Sequence, residues 1–296
     1  MPLPITLRQL EIFVAVAKTG QVSLAAETLC LSQSATSQAL ATLERQLDRQ
    51  LFDRQGKRLK LSPRGQQLLA TAEALLEQAG SLLAGEGGSV LAGQLRLACS
   101  TTIGNNLMPG LLASFWRQHP KAGVEMSIHN SRHIQQALLS FEADLGLIEG
   151  RCEESALASQ IWRHDELVVV AAPSHPLAGE GVLSLAALAD QHWILREPGS
   201  GTREVFEGAL GARVPRLNVR LELSQHDAIK ASVRAGVGLS CLSRLVVAEE
   251  LARRELVALA TPGLDLRRSL SLVWHPGRHQ GALFHALREH LFQASR

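Results

Sequence analysis

Three short segments place hydroxyls, glycines and cations where the chain passes from an apolar run into a helical one. Ser100-Thr101-Thr102 follows a run ending at Cys99 and precedes a helical stretch through Phe115. A helix start leaves N–H groups without intrahelical partners and carries the positive end of the dipole, so hydroxyls there suit an anion. Gly199-Ser200-Gly201-Thr202 precedes a second helix. Its two glycines let the backbone form a nest of donors, with Thr202 as hydroxyl and Arg196 or Arg203 as charge. His226-Asp227 stands before a third helix, Ala228 to Ala235, with Asp227 available as N-cap. Each segment alone reads as ordinary capping. All three at strand ends point to a small oxyanion, sulfite or sulfate first and a small carboxylate second.

A second constellation lies at the N-terminal end. Net charge is only +2, yet residues 1–65 hold nine Lys/Arg against five acids, and residues 45–64 hold seven against two. Charge alone fits a phosphate-binding head and a solvated basic surface equally. The pattern of elements separates the two. Leu7, Leu10, Phe13, Val14 and Ala17 recur at helical spacing, with Thr6 as N-cap and Gly20 as terminator. Ser23 caps a second short helix through Leu29, and Ser32 caps a third, Gln33 to Leu47, whose inner stripe is Ala35, Ala39, Leu40, Leu43 and Leu47. Leu51 to Leu61 alternates apolar and basic positions around Gly56, the pattern of a small hairpin or wing. Helix, turn, helix and basic wing in this order predict duplex DNA binding. Candidate contacts are Ser23, Gln33, Ser34, Thr36, Ser37 and Gln38 from the helices, with Thr36, Ser37 and Gln38 on base edges. Arg54, Lys57 and Arg58 of the wing are assigned to phosphates. The chain has no Tyr and only 4% aromatic residues, which disfavours single-strand stacking platforms.

Between head and body, Pro63 starts a long helix in which Leu68, Leu69, Leu75, Leu76, Leu82 and Leu83 repeat every seven residues. The stripe is core or dimer interface, and the interface is favoured because no third element in sequence covers it. Residues 85–89 read as a hinge. Beyond Gly93, β-rich runs alternate with helical stretches, which predicts parallel α/β sheets. The strands expected are 95–99, 123–129, 144–148, 166–172, 193–195, 219–223, 238–242 and 270–274.

The 296 residues and 46% hydrophobic content suffice for about two domains. Cys30, Cys99, Cys152 and Cys241 form no CxxC pair, the N-terminus lacks a signal-peptide layout, and no apolar run approaches a membrane span. A cytoplasmic protein with no membrane association is expected. His129/His133 and His275/His279 do not share a dependable helix face, so no metal is expected. Cys99 is a buried small hydrophobe or, alternatively, a redox sensor.

The order of elements, with Leu7-Arg8-Gln9-Leu10-Glu11-Ile12-Phe13, Ala25-Ala26, Leu31-Ser32-Gln33-Ser34-Ala35-Thr36-Ser37, Leu43-Glu44 and Leu51-Phe52-Asp53-Arg54, closely resembles the LysR-type transcriptional regulators over essentially the whole chain. Ser100-Thr101-Thr102-Ile103-Gly104-Asn105, Ile148-Glu149-Gly150, Ile194 to Arg203 and Ala228-Ile229-Lys230 resemble the sulfite-responsive YeiE-type and CysL-type subgroup. The resemblance implies an α/β protein with an N-terminal winged helix-turn-helix at 1–62. A dimerising linker helix and hinge would follow at 63–92. A two-lobed periplasmic-binding-protein-like effector domain would occupy 93–296, with lobe I at 93–163 and 268–296 and lobe II at 164–267. It also implies that Ser100, Thr102, Glu149 and Thr202 face the cleft between lobes. Two departures stand out: Asp48 where relatives often have Gly, and Ser34 where they often have Pro. Asp can take a left-handed cap at some cost.

The expected effector-binding set is Ser100, Thr101, Thr102, Glu149, Arg196, Ser200, Gly201, Thr202 and His226. Glu149 suits an anion if it accepts a proton from the ligand or pairs with Arg196. The expected function is a homodimer or homotetramer that binds pseudo-palindromic promoter DNA and alters its bend or spacing when a ligand closes the lobes. RNA polymerase is a candidate partner, and no cofactor is needed. Cysteine redox sensing is an alternative trigger. A hydrolase is disfavoured because GxSxG, Walker and GxGxxG motifs are absent. A solute-binding protein would share the body but not the basic head.

Overall fold

The computed structural model describes residues 4–55, 58–84, 91, 93–211 and 217–294. Thr6 caps α1 (Leu7–Thr19) through a capping box with Gln9, and Gly20 ends it at φ +68°, a left-handed turn that glycine adopts without strain. The chain re-enters helix almost at once in α2 (Val22–Thr28), whose N-cap is Gln21. Ser23, expected as the cap, therefore lies within the first turn. α3 (Gln33–Leu47) starts at Ser32, whose hydroxyl accepts from the Ala35 amide at 3.2 Å, and ends at Asp48 in the left-handed region (φ 49°). The antiparallel strands β1 (Phe52–Gln55) and β2 (Arg58–Leu61) form the expected hairpin, with Phe52 opposite Leu61.

Leu10, Phe13, Val16, Ala25, Leu43, Leu51 and Phe52 make the core of this region. Leu7 and Ala35, expected inside, are exposed. α4 (Pro63–Ala84) starts at the predicted proline. Ala72 is fully buried, and Leu68, Leu69 and Leu76 pack half-buried on the same core, because α1 folds back against α4. The expectation that nothing in the chain covers the leucine stripe is corrected accordingly. Leu75 is exposed, and the side chains of Leu82 and Leu83 lie outside the described residues.

The chain divides into two compact units, Met1–Leu91 with Pro276–His285, and Ala92–His275 with Ala286–Arg296. The second unit begins with β3 (Gly93–Ser100), α5 (Thr101–Asn106), α6 (Met108–Gln118), β4 (Ala122–His129), α7 (Ser131–Leu139) and β5 (Leu145–Glu149). A long β6 (Ala158–Ala171), α8 (Leu185–Ala189), β7 (His192–Arg196), α9 (Gly201–Leu210), β8 (Asn218–Leu223) and α10 (His226–Arg234) follow. β9 (Ser240–Ser243), α11 (Arg244–Ala252), β10 (Val257–Leu259), β11 (Arg267–Trp274) and α12 (Ala282–Gln293) complete the order.

The main sheet runs β10-β6-β11-β5-β3-β4, with β9 also on β6, and β7 pairs with β8 separately. Parallel pairing holds for β3 with β4 and β5 and for β7 with β8. The expectation of parallel sheets does not extend to β6 and β11, which pair antiparallel with each other and with their remaining neighbours. These two strands run between two apolar cores. One contains Ala98, Ile134, Leu138, Ile148 and Val273, and the other contains Leu167, Val169, Trp193, Phe206 and Cys241. β6 begins eight residues before the expected start. In the stretch from Ala158 to Asp165 only Trp162 and Asp165 are buried and most residues are polar, so it lacks an apolar signal. The single helix expected to reach Phe115 breaks at Leu107, and α6 restarts with Pro109 in its first turn, where a missing N–H costs nothing.

Candidate functional site

Two charged residues end apolar strands. β5 reads Leu-Gly-Leu-Ile-Glu and β7 reads His-Trp-Ile-Leu-Arg, so burial of each strand carries Glu149 and Arg196 to the carboxyl ends of their strands. Both are 2% exposed. α9 begins against β5 so closely that a Cβ on Gly201 would lie 2.1 Å from the Glu149 carbonyl oxygen, which explains a glycine in the first turn. Thr202, one residue on, donates its hydroxyl to Glu149 Oε2 at 2.9 Å. The Thr102 amide donates to Glu149 Oε1 at 3.1 Å. Behind the carboxylate, Ser131 at the start of α7 exchanges hydrogen bonds of 3.2 Å with the Glu149 backbone.

The cation facing Glu149 is Arg268, a residue outside the expected set. It stands directly opposite Asp165 in the β11–β6 register. Its guanidinium donates to Asp165 Oδ2 from Nε at 2.8 Å, to Thr202 Oγ1 from Nη1 at 2.9 Å, and to Glu149 Oε2. Ser243 donates to the other Asp165 oxygen at 3.0 Å. Burial opposes ionisation of Glu149, but Arg268 beside it outweighs that penalty and holds the carboxyl well below the usual range. Of the two alternatives offered for Glu149, the pairing with Arg196 is not formed; its ion pair is with Arg268. The Arg267-Arg268 dipeptide opening an apolar strand was the available signal, since alternation turns one of two successive side chains inward.

Arg196 is held differently. It forms a fork with Glu197 at 2.8 and 2.9 Å, donates to Thr101 Oγ1 at 3.3 Å, and donates from Nη1 to His226 Nε2 at 2.7 Å. Because arginine can only donate, Nε2 of His226 accepts and the proton resides on Nδ1. Burial, reinforced by Arg196, pushes His226 down to about 4, so the ring is neutral at neutral pH. Four of the five guanidinium protons of Arg196 are committed and one on Nη1 remains. Ser100 Oγ, at the end of β3, is buried against the Glu149 carboxyl, which it helps to keep ionised, and has no other hydrogen-bond partner among the described residues. Two guanidiniums, Arg268 and Arg196, therefore share the site with three carboxylates, Glu149, Asp165 and Glu197, leaving one negative charge in excess.

The structure brings together Thr101, Thr102, Glu149, Arg196, Thr202 and His226 through these bonds, with Ser100 beside Glu149. Ser200, N-cap of α9, is 2% exposed and its hydroxyl makes no capping bond. Arg203, the alternative charge, is drawn away to Glu207 at 2.7 Å and Glu222 at 3.0 Å. Asp227 is not the N-cap of α10; Gln225 holds that position, and exposed Asp227 pairs with Lys230 at 3.2 Å. Cys99 is fully buried, and burial drives its thiol far up, away from the reactive thiolate. The rings of His129 and His133 stack 4.3 Å apart, yet among the described residues no three His, Cys, Asp or Glu side chains are arranged to hold a metal.

At the N-terminal unit, Gln33, Ser34, Ser37 and Gln38 are exposed along the first turns of α3, and Ser23 is half-buried. Thr36 is the correction here. It is fully buried and its hydroxyl donates to the Ser32 carbonyl at 3.0 Å, so it cannot reach a base edge. The i, i+4 step from Thr36 to buried Leu40 puts it on the inner stripe in place of Ala35. Arg58 is exposed at the start of β2. The Arg54 side chain and all of Lys57 lie outside the described residues. Among the described residues no helix is long and apolar enough to cross a membrane.

Comparison with known proteins matches two family models. Residues 7–66 match the "Bacterial regulatory helix-turn-helix protein, lysR family", and residues 88–296 match the "LysR substrate binding domain". The chain is 44% identical over 290 residues to the HTH-type transcriptional regulator YeiE of Escherichia coli strain K12, covering 97% of this chain and 96% of that one. It is 33% identical over 270 residues to the HTH-type transcriptional regulator CysL of Bacillus subtilis strain 168, covering 90% of each. Among solved structures, the regulatory domain of Synechocystis CcmR in complex with 2-PG superposes with a TM-score of 0.64 at 31% identity, covering 69% of this chain and 98% of that domain.

Proposed function

Because the chain belongs to the LysR family of DNA-binding transcriptional regulators, which are not enzymes, we propose that its body is switched by a small oxyanion held at Arg196. Sulfite or sulfate is the first choice of ligand and a small carboxylate the second. The observation that carries this reading is the buried guanidinium of Arg196, which lies against Thr101 and keeps one uncommitted proton on the nitrogen that meets neutral His226. The starts of α9 and α10, with Ser200, Gly201, Thr202 and His226, add backbone donors. A carboxylate is a sensible second choice because this guanidinium already grips one, that of Glu197.

In the same reading, Gln33, Ser34, Ser37 and Gln38 of α3 face the major groove of pseudo-palindromic promoter DNA. The wing cations Arg54, Lys57 and Arg58 bind phosphates. The protein acts in the cytoplasm as a homodimer or homotetramer, with exposed Leu75 of α4 in the interface and RNA polymerase as a further partner. Burial of Cys99 and Cys241 disfavours redox sensing by either.

Thermal denaturation of the full-length protein against sulfite, sulfate, thiosulfate, phosphate and acetate tests the ligand. At a hundred times its dissociation constant a ligand adds about 2.7 kcal/mol. Stabilisation by an oxyanion that Arg196→Gln abolishes is expected. Melting unmoved by every anion would refute the assignment.

A further inference from the structure

We infer that a second cavity, on the face of the β6–β11 pair turned away from the Asp165 and Arg268 side chains, binds a small zwitterion: a free α-amino acid with an aliphatic side chain. The inference is independent of the oxyanion reading and concerns other side chains.

Alternation along the strands separates the two places. Asp165 of β6 and Arg268 of β11 meet on one face, so their neighbours His164, Arg267 and Ser269 lie on the other, with Ser269 opposite His164. There they line a cavity of about 620 Å³, together with Glu204, Val205, Gly208 and Ala209 on one face of α9. That volume falls within the range of small-molecule sites, roughly 300–1,000 Å³. Arg268 also borders the cavity, but its side chain is fully buried and spent on Glu149, Thr202 and Asp165.

Gly208 keeps the space open. It lies inside α9, where glycine costs roughly 0.5–1 kcal/mol against alanine. A Cβ there would meet nothing within 4 Å, and no left-handed backbone requires the glycine. Its effect is to leave room beside half-buried Val205 and Ala209.

The charges of the lining are of both signs and incompletely matched. Arg267 and Asp265 satisfy one another in a fork of 2.8 and 3.1 Å. The Arg151 side chain, just beyond β5, has no ion-pair partner among the described residues. Glu153 likewise forms no ion pair among them, and Glu204 has only exposed Arg132, at 3.8 Å. Burial and neighbouring Glu153 raise the Glu204 carboxyl above its ordinary value, with Arg132 acting against them.

One unmatched guanidinium and two carboxylates set the chemistry of the occupant. A simple anion pairs with Arg151 but meets Glu153 and Glu204. A simple amine satisfies the carboxylates and leaves Arg151 unmatched. An ammonium and a carboxylate on one carbon supply both partners, while Val205, Ala209 and the open space over Gly208 take an aliphatic side chain. The Gly150 amide donates to the Ser269 carbonyl at 2.9 Å, so an occupant touches the strands that carry Glu149, Asp165 and Arg268. The cavity thereby gives the body a second input.

Isothermal titration of the full-length protein with L-leucine tests this, with isocaproate and isoamylamine as analogues that lack the ammonium and the carboxylate respectively. Leucine should bind, and each analogue should bind about 10–100-fold more weakly, the size of a lost hydrogen bond to a charged group. Gly208→Leu suits a helix better than glycine and fills the cavity, so it should abolish leucine binding without lowering the melting temperature. Arg151→Gln should weaken leucine about tenfold and leave isoamylamine, which has no carboxylate, unchanged. Absence of leucine binding would overturn the inference, as would either analogue binding as tightly as leucine. Leucine bound equally by the wild type and Gly208→Leu would put it outside the cavity and overturn the inference too. Arg151 is exposed, so its variant and the two analogues decide the matter even where Gly208→Leu folds poorly. None of these readouts depends on an oxyanion at Arg196.

Discussion

The buried neutral imidazole of His226 makes an acid-labile element whose size follows from its environment. The ring titrates at about 4 in the folded protein, against 6.5 for the free side chain. Between those values the unfolded chain binds a proton that the folded chain refuses, so this group makes stability rise with pH from about 4 to 6.5 and contributes nothing above that window. The shift corresponds to about 3 kcal/mol at full development below pH 4, and to about 2 kcal/mol at pH 5, since each unit is worth about 1.4 kcal/mol. His226→Gln keeps an acceptor for Arg196 Nη1 and removes the titration. All four tryptophans, Trp116, Trp162, Trp193 and Trp274, lie in the second unit, so tryptophan fluorescence during urea unfolding of the full-length protein reports that unit. The wild type should lose about 2 kcal/mol more than the variant between pH 7 and pH 5. Parallel losses in the two proteins would refute the claim that a neutral, desolvated ring accepts from Arg196.

Other perturbations follow from the same geometry. Arg268→Met strands the Glu149 and Asp165 carboxylates in a buried setting and should cost about 3–5 kcal/mol in the same unfolding assay; a loss below about 1 kcal/mol would mean that water reaches the pair. Gly201→Ala drives a methyl into the Glu149 carbonyl and should cost about 1–3 kcal/mol, with melting temperature as the readout. Gln38→Ala should alter sequence preference in a binding-site selection experiment, while Thr36→Val should leave it unaltered because that hydroxyl is spent on Ser32. Arg58→Ala should weaken all duplexes alike and lower the salt slope by about one; a sequence-dependent effect would contradict a phosphate contact.

Much of the N-terminal unit is legible residue by residue, because its boundaries are made locally. Thr6, Gly20, Ser32 and Asp48 act within one turn of the helices they start or end, and the structure finds each in that role. Ser23 misleads for a related reason: Gly20 already reverses the chain, so the helix begins before the serine. Thr36 misleads because hydroxyl chemistry suggests an exposed contact, whereas helical phase relative to Leu40 and Leu43 puts it inside. In the body, most strands announce themselves as apolar runs. The first half of β6 and the three residues of β10 do not, being polar in one case and short in the other.

The sequence by itself determines the local chemistry: which hydroxyls and glycines stand at helix starts, which apolar runs stop just before Glu149 and Arg196, and where the basic wing lies. Only the tertiary structure decides which charge meets which. Arg268 and Asp165 are separated by 103 residues and become neighbours through antiparallel strand register. That register gives Glu149 a partner other than Arg196 and leaves Arg196 to His226, Thr101 and Glu197. The reason is physical: capping and strand burial are fixed by interactions over a few residues, whereas the pairing of buried charges depends on long-range register and on which carboxylate lies nearest each guanidinium.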